Sequence, residues 1–141
     1  MKFEKYDNYK EIIPLYISRG LEIEEDFDNE PVFSLIMKDN NKIIGAATCS
    51  KIGEDYIIEA IVILENEIRK GYGKHLLHEV LKEIKLLKGN NIYLVAKEPQ
   101  FFEKNGFVVI DRNNAPDFSY CFVCPKYNVS CFPQVMKYIG E

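Results

Sequence analysis

The sequence predicts an α/β domain of the α+β kind: a mixed, mostly antiparallel sheet flanked by helices. Three observations lead there. Three apolar runs joined by tight turns, between Val32 and Leu64, read as an antiparallel meander. A Gly-rich turn, a long amphipathic helix and another apolar strand follow, an order that yields a parallel strand pair. Further strand-sized runs, separated by glycines and asparagines, continue toward the C-terminus.

The bulk numbers fit one domain over residues 1–141. A chain of 141 residues can bury its own core, and 47% hydrophobic with 13% aromatic residues excludes a disordered segment. The net charge of −4 argues against a nucleic-acid partner, because that binding rests on neutralising phosphates. No apolar run approaches the roughly 20 residues of a membrane span, and the charged N-terminus is unlike a secretory signal. A cytoplasmic protein with no membrane partner is expected, its four cysteines mostly reduced.

Met1 to Tyr6 suits a short first strand. Asp7 can cap a helix from Asn8 to about Arg19, with Ile12, Ile13, Tyr16 and Ile17 at helical spacing and Pro14 as a kink or a start within it. Gly20 ends it. The acidic stretch from Glu22 to Glu30 reads either as a solvated loop or as a lip that attracts a cationic acceptor. Val32 to Lys38 and Lys42 to Ser50 form a hairpin about Asp39-Asn40-Asn41, and Gly45-Ala46-Ala47 thins the second strand for close packing. Tyr56 to Leu64 completes the meander.

After Gly73, Leu76, Leu77, Val80, Leu81, Ile84 and Leu87 make one apolar stripe, while Lys74, His78, Lys82 and Lys85 face away. Gly89 ends this helix, and Ile92 to Ala96 is a strand parallel to Tyr56–Leu64. Pro99 to Asn105 is a short helix, Phe107 to Asp111 a strand and Phe118 to Val123 the last strand. A cysteine-rich tail, residues 121–141, follows.

The turn Arg69-Lys70-Gly71-Tyr72-Gly73-Lys74 carries the chemistry. A strand feeding a helix there leaves backbone N–H groups unpaired at the positive end of the helix dipole, a site for a phosphate. Gly71 and Gly73 permit close approach, and Arg69, Lys70 and Lys74 add positive charge.

Arg69 to Leu77, together with Phe101-Phe102-Glu103-Lys104-Asn105-Gly106-Phe107 about thirty residues on, resembles the GNAT superfamily of acyl-CoA N-acyltransferases. The first stretch looks like the family's pyrophosphate-binding motif and the second like its closing aromatic-aromatic-Glu-Lys-x-Gly-Phe signature. The short link from Ala96 to Phe101 looks like that of N-acetylglutamate synthase domains. The resemblance implies a twisted sheet of about six or seven strands with helices on both faces. It also implies a cleft for acetyl-CoA where two parallel central strands splay, and a small primary amine as acceptor, which attacks the thioester directly in a ternary complex. The backbone of Arg69, Lys70, Gly71, Tyr72, Gly73 and Lys74 would then hold the pyrophosphate, and that of Ile61, Val62 and Ile63 the pantetheine arm. Ile68 stands where Gln or Arg is usual, and Phe102 where many members have a tyrosine that protonates the leaving thiolate.

Acyl transfer needs a neutral amine and a proton for the thiolate. Glu59 is the candidate base: it precedes Ile61 and Ile63 by even steps, so an extended strand puts all three on one face. A solvent-facing or salt-bridged carboxylate is the alternative. Tyr120 is the candidate acid and Tyr93 the second choice. His75 and His78 lack the companions of a metal site, and no metal is expected. Cys121, Cys124 and Cys131, with Cys49, read as buried apolar cysteines, as a metal or redox site, or as thiols lining the acceptor pocket. The aromatic residues around them suit an acceptor wall or a homodimer contact. A non-catalytic CoA-binding module and a cysteine-centred metal or redox protein are the rival functions.

Overall fold

The computed structural model describes residues 2–21, 29–64, 71–118 and 133–140. Strand β1 (Lys2–Lys5) leads through a 3-10 turn (Tyr9–Glu11) to α1 (Ile13–Ser18). Strands β2 (Pro31–Asp39), β3 (Lys42–Ile52) and β4 (Asp55–Ile63) form the meander. Helix α2 (Tyr72–Leu86), strand β5 (Ile92–Ala96), helix α3 (Gln100–Glu103), and strands β6 (Phe107–Val109) and β7 (Gln134–Tyr138) complete it. The sheet has seven strands in the order β1-β2-β3-β4-β5-β7-β6. Its pairs are antiparallel except β4 with β5, the parallel pair that α2 connects.

Turn chemistry sets the meander. Asn40 and Asn41 both take positive φ, 51° and 65°, as a two-residue hairpin matching the strand twist requires. Pro14 lies in the first turn of α1, where its missing N–H costs no hydrogen bond. The cap expected of Asp7 is not made: the turn opens at Asn8 without a side-chain cap.

Helices cover both faces. Leu76, Leu77, Val80 and Ile84 of α2 are buried with Ala47, Cys49 and Ile58 on one side. Each such aliphatic contributes about 1.5–3 kcal/mol by leaving water. Leu87 drops out of the expected stripe, because α2 ends at Leu86 and Leu87 is 42% exposed. On the other face Ile12 and Tyr16 pack on Ile36, Ala46, Ala60 and Val62. There the Tyr16 hydroxyl meets Thr48 Oγ1 at 2.7 Å, and Thr48 meets Ser34 Oγ at 2.8 Å, so every member of this buried polar trio is paired. Burial pushes the Tyr16 phenol well up, keeping it protonated.

Gly45 explains the thinned strand. A Cβ there would lie 2.7 Å from Ile63 Cδ1 and 3.0 Å from the Val62 carbonyl, so only hydrogen lets β4 and α2 close on β3.

Phe118, expected to open a strand, is outside any strand and buried, and residues 119–123 lie outside the described residues. A strand not expected from the sequence, β7, lies inside the stretch read as a tail and inserts between β5 and β6.

Candidate active site

The two parallel strands separate soon after they meet. β4 and β5 pair at Tyr56–Ile92 and Ile57–Tyr93, and no further pair joins them. β4 runs on to Ile63 along β3, ending opposite Gly45, while β5 turns its other edge to β7. The divergence has a local cause. Thr48 faces Ala60 and Cys49 faces Ile58, so Glu59 is an extra residue, a β-bulge, just beyond the last β4–β5 pair. A bulge bends its strand and increases its twist. Among the described residues, the β5-facing edge of Ile61, Val62 and Ile63 has no strand beside it, and its backbone can pair with an extended ligand that carries amides.

The edge points to the start of α2. Gly71 there has φ 77° and ψ 9°, a left-handed conformation that a side chain would strain, and a Cβ at this position would meet nothing within 4 Å. No side chain caps the helix and its first turn holds no acid. Among the described residues, no side chain takes the first-turn amides of Tyr72, Gly73 and Lys74, and the helix dipole lies behind them. Lys74 and His75 are exposed beside them. Arg69 and Lys70 lie outside the described residues. Phe101 of α3 closes over the turn, its ring 3.4 Å from where a Cβ of Gly73 would stand.

The bulge replaces the single face expected for Glu59, Ile61 and Ile63. Ile61 and Ile63 pack into the cluster under α2. Half-buried Glu59 accepts from Asn29 Nδ2 at 2.8 Å, and the same Nδ2 donates to the Phe118 carbonyl at 2.7 Å. Asn29 is a site residue that sequence reading missed. It was one more polar residue in an acidic stretch, and its partners stand 30 and 89 positions away.

Phe102 is half-buried and apolar, edge-on to Phe101 at 5.1 Å and to Phe107 at 5.7 Å. It holds α3 on the core and offers no proton. Tyr93 is buried against Phe118, with ring centres 6.1 Å apart. Burial, and secondarily the Asp55 charge, raise its phenol above the ordinary value. Tyr120 lies outside the described residues, as do Cys121, Cys124 and Cys131. Cys49 is fully buried, and burial first, then the Glu59 charge, push its thiol well up. It is a neutral core residue. Among the described residues no cluster of three His, Cys, Asp or Glu could hold a metal. None of the described helices is long and apolar enough to cross a membrane. A shallow cavity of about 200 Å³, lined by Lys5, Tyr6, Phe33 and Leu87 among others, lies away from the splay.

Comparison with known proteins agrees with this arrangement. Residues 4–107 match the profile of the acetyltransferase (GNAT) family. No curated protein matches the sequence. A GNAT-family acetyltransferase from Staphylococcus aureus Mu50 superposes with a TM-score of 0.70 at 16% identity, covering 97% of each chain. N-acetylglutamate synthase from Neisseria gonorrhoeae, in complex with coenzyme A and N-acetyl-glutamate, superposes at 0.70 with 11% identity. It covers 98% of this chain and 35% of its own. A GNAT-family acetyltransferase from Elizabethkingia anophelis with acetyl-CoA bound gives 0.65 at 16% identity, covering 99% of this chain and 97% of its own.

Proposed function

Because the chain belongs to the acetyltransferase (GNAT) family, we propose that it transfers an acetyl group from acetyl-CoA to the primary amine of a small molecule. The transfer is direct, within a ternary complex, and residues 1–141 act as one such domain in the cytoplasm. The observation that carries this reading is the splay: among the described residues the β4 edge at Ile61–Ile63 has no strand beside it, and it leads to the glycine-opened N-terminus of α2.

The roles follow from the chemistry. Backbone amides from Arg69 to Lys74, held open by Gly71 and Gly73, take the pyrophosphate. The backbone of Ile61, Val62 and Ile63 pairs with the pantetheine arm and holds the thioester carbonyl near N–H groups that stabilise negative charge as it develops. Glu59 removes the amine proton through a water molecule, the amine forms the C–N bond, and the C–S bond breaks. Tyr120 gives the thiolate its proton, since Phe102 has none to give. The partners are acetyl-CoA and the amine. The aromatic, cysteine-bearing stretch supplies the acceptor wall or a homodimer contact.

The test is thiol release from acetyl-CoA over a panel of L-amino acids and short diamines. Release with some amine, dependent on Glu59, is expected. Coenzyme A binding without release over the whole panel would instead select a non-catalytic acyl-CoA-binding module, the reading that Phe102 in its apolar cluster favours.

A further inference from the structure

Resting on the reading of Glu59 as base, we propose that Asn29 is a positioning residue, which fixes the Glu59 carboxylate and lowers the pH at which it takes up its proton. A glutamate has three rotatable bonds to freeze, and a hydrogen bond to its carboxylate helps to hold them. Asn29 makes one such bond. Its Nδ2 gives a hydrogen to Glu59 Oε1 at 2.8 Å and another to the Phe118 carbonyl at 2.7 Å, while its backbone carbonyl accepts from Ser50 Oγ at 3.2 Å. Both Nδ2 partners are acceptors, so the amide can stand only one way round. Phe118 is itself anchored, buried against Tyr93. Asn29 thus ties the base to β3 and to the segment ending at Phe118.

The residue type matters. An aspartate of the same shape could donate to neither oxygen and would set a second negative charge beside Glu59. A hydrogen bond given to the charged form of an acid favours that form, so an amide here favours the ionised base. Among the described residues, Cys49 on β3 feels the Glu59 charge, and its thiol stays neutral. Asn29 and Phe118 bring no charge.

The test follows the Glu59 carboxyl by carbon-13 NMR titration of the full chain. Its midpoint should rise by about one pH unit in Asn29→Ala and further in Asn29→Asp, with coenzyme A affinity within about twofold of the original. The acid limb of thiol release should move by the same amount. An unmoved midpoint in Asn29→Asp would overturn the proposal. In the unaltered protein the Asn29 side-chain amide signals should shift with the Glu59 titration; signals that ignore it overturn the proposal without any substitution. Glu59→Gln separates the two readings. Full activity in that variant removes the base assignment, whereas a slow Glu59→Gln with an unmoved Asn29→Asp midpoint removes this inference alone.

Discussion

The two ends of the cleft are built from different materials. The end at α2 uses backbone: a left-handed Gly71, first-turn amides and an edge at Ile61–Ile63 that have no partner among the described residues. The end at the bulge uses side chains, Glu59 and Asn29, brought together from positions 30 residues apart. A backbone site tolerates change in its side chains. A side-chain site does not, because removing one partner leaves the other misdirected or buried without its hydrogen bond.

That contrast can be broken by substitution. The largest effect is expected at the side-chain end: Glu59→Gln should slow turnover by roughly 10²–10⁴-fold, as loss of a general base does, and leave coenzyme A affinity unchanged by calorimetry. Unchanged turnover would put the chemistry elsewhere. Next comes the backbone end. Gly71→Val forces a branched side chain into φ 77° and projects it into the open space beside the helix start. Coenzyme A affinity should fall at least about tenfold, the equivalent of the 1–2 kcal/mol that a left-handed conformation costs; equal affinity would contradict the phosphate assignment.

Smaller effects test the scaffold between the ends. Gly45→Ala sets a Cβ 2.7 Å from Ile63 Cδ1 and should cost about 1–3 kcal/mol by denaturant unfolding, loosening β4 on β3. Unaltered stability would mean that Ile63 can move aside and that the close packing is not needed. The smallest is Tyr16→Phe, which removes one bond of the buried Tyr16–Thr48–Ser34 trio. Thr48 keeps Ser34 as a partner, so a loss of about 1 kcal/mol is expected from thermal or denaturant melts. A loss of several times that would assign the trio a wider role.

What could be read from the sequence divides along the same line. The meander, α2 and the parallel β5 were legible because each is written locally: Asn40-Asn41 as a hairpin turn, Leu76 to Ile84 as a helical stripe, Ile92–Ala96 as a short apolar run. The family signature was legible as motif. The bulge was not, because Glu59 sits in an unbroken run of strand residues and nothing in Tyr56–Ile63 marks an extra one; it appears only against the register of β3. β7 escaped for a related reason. Gln134–Tyr138 carries no stronger strand signal than its surroundings, and its place is fixed by pairing with β5 and β6. Asn29 carries no local signal at all.

We propose that one cleft, between the splayed strands and the start of α2, takes the acyl donor through its backbone. Amide hydrogen exchange with and without coenzyme A is the direct test. Slowed exchange is expected at Ile61, Val62 and Ile63 together with Tyr72, Gly73 and Lys74. Protection confined to the cavity around Lys5 and Phe33, or unchanged exchange at Ile61–Ile63 under saturating coenzyme A, would contradict it.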